Sequence, residues 1–375
     1  MRTMRIIGKA LCVVWIVCSA INAYGRTPAF VDQTVHYQSL GPQGEPLTLS
    51  GKVSVPMAKQ PKGIVLFEHY TISANSEAPS AGWTADAKYL RDDYVLIMPD
   101  YIGFGATKDR ISPYLDGVLT ARNSVDMLLA AKPVIEQLRA GVYSDSIFIV
   151  GYSQGGAAAL WTLKLLEEQY ADKFHVKGCY AGSGPYDVAA TYDLAVAGNK
   201  IFLPLTIPLL VLGTSEAYGL DLQRKDFFTP AMDKYYDDLM ASKTNTVVTI
   251  ALRVPIYRLS YWMTAEGRDK SQAETQRLYR GLLRSSLVHY PMDANPLFQD
   301  SICPQWRPKA PTYIFHSTKD DIVPFTNAVH LRRCWADAPN VTFDFGYYGN
   351  HFGGIMVFFN RVNKMMGKKS ERVKE

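Results

Sequence analysis

Metal-ligand spacings are missing from this 375-residue chain: it contains no Cys-x-x-Cys and no His-Glu-x-x-His. The usual sequence signatures of bound zinc are therefore absent. Cysteine is sparse, with five in all, and two of them, Cys12 and Cys18, fall within the first 25 residues. A strong charge of either sign is also lacking. The formal net charge is +5, and Arg2, Arg5 and Lys9 supply three of those charges in a stretch with no acid, which leaves 5 − 3 = +2 for the rest. That excess is small and diffuse, so nucleic acid is not an expected partner. Nor is there an apolar run suited to a stable membrane span. The run near the start is short, and "IFLPLTIPLLVLG" (201–213) is interrupted by Pro204 and Pro208. No internal repeat or long linker is evident. What remains, 47% hydrophobic and 20% charged residues, suits one large α/β domain or a domain with an insertion.

The first 25 residues, "MRTMRIIGKALCVVWIVCSAINAYG", join a basic start to an apolar stretch and small residues. Ala23 and Gly25 form an A-x-G pattern just before Arg26. This is the pattern of a secretory signal peptide, so export to the periplasm or beyond is expected. Cys18 is a possible lipid anchor, but Trp15, Ile16 and Val17 precede it where such a site wants a small residue, and no anchor is expected. Export places the remaining cysteines in an oxidising compartment. Cys303 and Cys334 flank one strand–loop–helix segment and are expected to pair; the alternative is two unpaired thiols. Cys179, within "VKGCYAG", reads as a buried free thiol.

Alternating runs in "TVHYQSL" and "LTLSGKVSVP", separated by "GPQGEP", predict an antiparallel hairpin. Continuous apolar runs predict strands buried on both faces: "GIVLFEHY" (63–70), "YVLIMPD" (94–100) and "SIFIVGY" (146–152). "VKGCYAGS" (176–183), "TYIFHS" (312–317) and "VTFDFG" (341–346) complete the set. Helical spacing fills 118–139, 156–170, 321–336 and 352–366. The fold class is therefore α/β, with a mostly parallel central sheet flanked by helices. Between 187 and 302 the alternation breaks, and that stretch reads as a mostly helical insertion capping the sheet. The expected division is a signal peptide (1–25), a core formed by 26–186 and 303–375, and a cap or lid at 187–302. The segment 201–213 either lines a pocket or forms the insertion's own core.

"FIVGYSQGGAAAL" (148–160) is a buried strand, then Gly-x-Ser-x-Gly, then a small-residue helix. A sharp strand-to-helix turn forces the central Ser153 into a strained backbone, and Gly151 and Gly155 let neighbouring chain approach. The alternative is a glycine turn that happens to hold a serine. A serine hydroxyl needs a base in reach, and the base needs an orienting acid. Two later strand–loop segments offer them. "TYIFHSTKDDIVPF" carries Asp320 and Asp321, and "VTFDFGYYGNHFGG" carries His351.

Taken together, "GYSQGG", "HSTKDDIVP" and "GNHFGG" in this order resemble the α/β-hydrolase superfamily. "PDYIGFGATKDRISPYL" and "SGKVSVP" look more narrowly like secreted bacterial lipase/esterase-type serine hydrolases. The resemblance covers nearly all of the chain after the leader and is weakest across 187–302. It implies the α/β-hydrolase fold, with Ser153 as nucleophile, His351 as general base and Asp320 as the acid, Asp321 being the alternative. One oxyanion donor should be the amide of Gln154. The second should come from the loop after "GIVLFE", where many relatives have His-Gly and this chain has His69-Tyr70-Thr71. Thr71 is favoured over Tyr70, and its hydroxyl could add a third donor. "DYIGFGAT" reads as support for the pocket wall, with Tyr101 or Phe104 against an acyl group as the alternative.

The expected function is hydrolysis of carboxylic esters through an acyl-enzyme, without a cofactor, on a small-molecule or lipid ester. A serine peptidase, an acyltransferase and a noncatalytic binding protein on the same scaffold are the competing readings.

Overall fold

The computed structural model describes residues 29–82, 87–253, 256–292 and 297–371. The signal peptide expected at 1–25 and the Cys18 position lie outside the described residues. β1 (Phe30–Leu40) and β2 (Pro46–Pro56) form the hairpin, paired antiparallel from Phe30 with Pro56 to Leu40 with Pro46. The apolar runs become β3 (Ile64–Glu68), β4 (Val95–Pro99), β5 (Ser146–Tyr152), β6 (His175–Gly182), β7 (Thr312–Ser317) and β8 (Val341–Gly346). They join one eight-stranded sheet in the order β1-β2-β4-β3-β5-β6-β7-β8. β2 is antiparallel to β1 and β4, and every pair from β4 to β8 is parallel.

Side chains two apart on a strand share a face, and this sheet uses both faces. Ile64, Leu66, Ile97 and Ile149 pack with α1 (Gly117–Leu138) and α2 (Gln154–Gln169) through Leu128 and Leu160. Val65, Phe67, Leu96 and Val150 face the other way, onto Phe358, Phe359 and Val362. This doubled burial explains why the inner strands show no polar alternation.

From 187 to 302 no strand of the sheet occurs among the described residues; three isolated bridges do. The segment is built of α3 (Val188–Gly198), α4 (Thr206–Tyr218), α5 (Ala273–Ser285) and shorter helical turns. It has its own buried cluster, including Phe227, Met232, Trp262, Leu278 and Leu282. Segment 201–213 serves both roles considered for it: Ile207 and Val211 belong to this cluster and also line a cavity.

Asp187 ties the two ends of the segment to each other and to His330. Its carboxylate accepts from Ala190 and Tyr290 N–H (2.8 and 3.1 Å) and lies 2.9 and 2.7 Å from Nδ1 of His289 and His330. Burial pushes this carboxyl up, but the two histidines and the N–H donors outweigh it and hold it below the usual range. α6 (Thr326–Cys334) carries His330 and then α7 (His351–Glu371) closes the fold.

Cys303 and Cys334 form a disulfide across a separation of 31 residues, and Cys179 is a buried free thiol. On the chain-entropy account, closing a loop of this size removes about 3–4 kcal/mol of freedom from the unfolded chain. Replacing both cysteines by serine should therefore lower the unfolding free energy by ~2–4 kcal/mol in urea titration. Treatment with reductant should reproduce that loss in the wild type and change nothing in the double variant.

Candidate active site

Ser153 stands between β5 and α2 with φ 58° and ψ −124°. Non-glycine residues hold such angles only where the surroundings impose them, at a strain of roughly 1–3 kcal/mol. The surroundings here are backbone. A Cβ on Gly155 would lie 2.1 Å from Glu68 O, one on Gly151 would lie 2.1 Å from Gly155 O, and one on Gly156 would lie 2.5 Å from Gly182 O. Only glycine fits at all three. The Ser153 N–H donates to Gly182 O at 2.8 Å, which fixes the turn against β6.

His351 opens α7, so its imidazole is placed by a helix start. The Asn350 side chain accepts from Gly353 N–H at 3.0 Å, as an N-cap does. The Tyr152 hydroxyl donates to His351 O at 2.8 Å. The ring reaches back over the sheet, with Nε2 2.9 Å from Ser153 Oγ. Its Nδ1 lies 2.9 and 2.8 Å from the two oxygens of Asp320. With Nδ1–H donating to the carboxylate, Nε2 is left to accept the serine proton.

Asp320 and Asp321 make different contacts. Asp320 is buried and also accepts from the N–H groups of Ile322 (3.1 Å) and Val323 (2.8 Å). Burial pushes its carboxyl up, yet His351, His316 and the Val323 N–H more than offset it and hold it below the usual carboxylate range. Asp321 instead accepts from the backbone N–H of His351 at 3.2 Å and from the Asn350 side chain at 3.4 Å. His316 is buried at the end of β7, with Nε2 3.0 Å from Val323 O and 3.6 Å from Asp320.

Gln154 is the first residue of α2, so its N–H has no acceptor within the helix. Tyr70, Thr71, Ser153 and His351 line one cavity of about 270 Å³. The Thr71 hydroxyl lies 2.7 Å from that of Tyr114, which also lines the cavity. Burial pushes the Tyr114 phenol up to about 12, so it remains a neutral donor. The rest of the wall is mainly apolar and comes largely from the insertion: Val188, Ile207, Val211, Leu259, Leu278 and Leu282 among them. Among the described residues no cluster of three His, Cys, Asp or Glu side chains converges as a metal site. Likewise, no helix among them is long and apolar enough to cross a membrane.

Glu68 was not visible as a site residue from its place in an apolar run. It ends β3, wholly buried, and accepts from the hydroxyls of Tyr101 (2.7 Å), Ser124 (3.0 Å) and Thr162 (2.8 Å). Its backbone oxygen is the surface against which Gly155 packs. Tyr101 therefore points into the core rather than at the cavity, and its ring stacks on His69 at 4.0 Å. Tyr101 and Gly103 both have positive φ, 63° and 97°. No motif links Glu68 to Ser124 or Thr162; an acid inside an apolar strand was the one available signal.

Burial raises the Glu68 carboxyl above its ordinary 4.5, and the three hydroxyls offset only part of that. The sign follows from linkage. Between 4.5 and the raised value the folded state binds more protons than the unfolded one, so this group's contribution falls as pH rises through the window. The Glu68→Gln variant should lose that slope, read as the difference between the two stability-versus-pH curves from pH 4 upward. A matching slope in both proteins would contradict the assignment. Gly155→Ala, which drives a Cβ into Glu68 O, should destabilise by ~3 kcal/mol or prevent folding.

Comparison with known proteins agrees with this architecture. A secreted triacylglycerol lipase of Malassezia furfur is 24% identical over 322 residues, covering 79% of this chain and 75% of the relative. Lipase 6 of Candida albicans is 21% identical over 261 residues, covering 68% of this chain; the chain spans about half of that relative (50%). Among solved structures, the ligand-bound rice cell wall degrading esterase of Xanthomonas oryzae superposes with a TM-score of 0.73 at 21% identity, covering 93% of this chain and 92% of that one. Candida antarctica lipase A gives a TM-score of 0.62 at 17% identity, over 86% of this chain and 73% of that one. At these identities the structural likeness establishes the α/β-hydrolase fold. The secretory lipase family matches residues 84–358. The chain belongs to the secretory lipase family, a family of carboxylester hydrolases.

Proposed function

We propose that the chain hydrolyses carboxylic esters through an acyl-enzyme formed on Ser153. The observation that carries the reading is the run of contacts from Asp320 through the His351 ring to Ser153 Oγ, with 2.8–2.9 Å at each step. In this reading the Ser153 proton passes to His351 Nε2 as Oγ attacks the ester carbonyl. Asp320 stabilises the imidazolium through Nδ1–H. His351 then gives the proton to the leaving alcohol, and water repeats the sequence to release the acid. The Gln154 N–H and the Tyr70–Thr71 loop serve the oxyanion, with Thr71 as the favoured donor. Tyr114 can donate to Thr71 Oγ1, which leaves the threonine proton free to point into the cavity.

The mainly apolar lining suits an ester with an apolar acyl or alcohol part, including a lipid ester. The insertion at 187–302 supplies most of that lining and so acts as the cap that sets substrate choice. The family is secretory. Export through the leader at 1–25, with cleavage before Arg26, completes the reading. Among the described residues the cavity lining holds no charged anchor for a peptide terminus beyond Glu77, whose carboxylate is already held by backbone N–H groups. That favours esters over peptides.

Steady-state rates on short and long p-nitrophenyl esters and on peptide anilides test the reading. Ser153→Ala should abolish ester turnover, and persistence of turnover would refute the nucleophile. Asp320→Asn should lower kcat by roughly 10³–10⁴ by disturbing the histidine tautomer. Asp321→Asn, which alters only the support of the helix start, should lower kcat far less. Equal losses at the two aspartates would contradict the assignment of the acid.

A further inference from the structure

Three loops meet beside the cavity, and two side chains tie them together. The first loop (69–77) carries Tyr70 and Thr71. The second (100–112) follows β4, and the third (236–247) belongs to the insertion. Glu77 Oε2 accepts the N–H groups of Ser73 and Ala74, both at 3.0 Å, within the first loop. The same oxygen accepts the N–H of Val247 from the insertion at 3.2 Å. Glu77 and Val247 both line the cavity.

Lys243 closes the other side of the junction. An ammonium has three N–H donors, and here three carbonyls of the second loop receive them: Gly103 O at 2.6 Å, Lys108 O at 2.8 Å and Arg110 O at 2.6 Å. Its own carbonyl accepts the Asn75 N–H of the first loop at 2.8 Å. Asn75 Oδ1 in turn accepts from Gly105 N–H at 2.9 Å. Lys243 holds φ 51°, a left-handed conformation that a lysine keeps when its surroundings impose it. These contacts run to loop backbone, so the two side chains shape the loops.

We propose that Glu77 and Lys243 are positioning residues that clamp the insertion onto the Tyr70–Thr71 loop and so set the donors facing the oxyanion. The proposal rests on the ester-hydrolase reading of Ser153. It makes the insertion a part of the catalytic geometry as well as a wall of the pocket.

The clamp carries its own pH signature. Among the described residues, the charged and titratable groups that line the cavity beside Lys243 are Lys108, Asp109 and Arg110 on the second loop and Tyr236 on its own segment; the first loop and α4 present Ser73, Asn75, Pro208 and Leu209 there. Burial lowers the lysine to about 8, with Asp109 opposing and Lys108 adding to the fall. A neutral amine has two N–H groups for three carbonyls, so deprotonation slackens the junction. Global stability moves the other way. Between about 8 and 10.5 the unfolded chain binds more protons than the folded one, so this group's contribution to stability rises with pH. Loss of the Lys243 proton therefore does not itself destabilise the fold, and a rate that falls with it reports the junction.

The test uses p-nitrophenyl butyrate, with active sites titrated by a phosphonate burst so that unfolded protein drops out of kcat. Glu77→Ala and Lys243→Met should each lower kcat per titrated site by roughly 10- to 100-fold, the scale of a misplaced reacting group, with KM within about threefold. Glu77→Gln, which keeps an oxygen for the same N–H groups, should recover most of the loss. The wild type should lose kcat as pH rises through about 8, and Lys243→Met should lack that limb. Unchanged kcat per titrated site in Glu77→Ala and Lys243→Met, or an alkaline limb that persists in Lys243→Met, would overturn the clamp. Ser153→Ala runs in parallel. Turnover surviving in it sinks the hydrolase reading, whereas its loss beside unaltered Glu77→Ala and Lys243→Met sinks the clamp alone.

Discussion

Ser153 holds a backbone conformation that a serine does not choose, and the arrangement around it follows from keeping it there. The strain is of order 1–3 kcal/mol and has to be balanced by neighbours that leave no alternative. Those neighbours are carbonyls of β3, of β6 and of the first turn of α2 at a distance no Cβ allows, which is why Gly155, Gly156 and Gly151 surround the serine. The sheet in turn must be held in register to keep those carbonyls fixed. β3 and β6 flank β5 in parallel, and both faces of the three are sealed by helices. The buried Glu68 belongs to the same support. It draws hydroxyls from the loop after β4, from α1 and from α2 onto the end of β3, so four elements share one carboxylate.

The histidine side of the site obeys a different constraint. A helix start favours negative charge, and an imidazole that becomes cationic, as the proposed reading has His351 do, is out of place there. Two adjacent aspartates answer that problem in separate ways. Asp321 meets the exposed N–H of the helix start, and Asp320 meets the ring. Their adjacency in sequence is what the geometry needs, because the loop after β7 passes both the ring edge and the backbone of His351. His316 and the N–H groups of Ile322 and Val323 then hold Asp320 from behind.

The strands were legible because their signals are local. "GIVLFEHY", "YVLIMPD" and "SIFIVGY" each show uninterrupted apolar character, and each became a strand covered on both sides. The hairpin was readable from alternation and its turn residues, and the position of His351 after a late strand is where its ring meets Ser153 Oγ. The pairing of Cys303 with Cys334 rested on their flanking one short segment. What escaped was set by distance along the chain. Glu68 finds Ser124 56 residues away and Thr162 94 residues away, and Glu77 finds Val247 170 residues away. No local pattern encodes such meetings. The region 187–302 was opaque for a related reason: its short helices bury one another, so their apolar residues answer to the insertion's own core and show no sheet-facing stripe.

The insertion also changes what the polar groups of the site can do. Its leucines, valines and isoleucines line much of the cavity, and a few polar groups face it, Ser153, Thr71, Tyr114 and His351 among them. Electrostatic interactions strengthen as the surroundings lose water, so a hydroxyl or an N–H aimed at a developing oxyanion counts for more there than on an open surface. An apolar lining makes an unpaired charge costly, and the charges near the cavity are accordingly paired. Asp320 rests against His351 and Glu77 against three N–H groups, while Lys243, behind the loops, rests against three carbonyls. Apolar wall and satisfied charge are thus two sides of one requirement. A segment that supplied the wall without fixing the loops would leave the donors free to turn away, and one that fixed the loops without the wall would leave them screened by water.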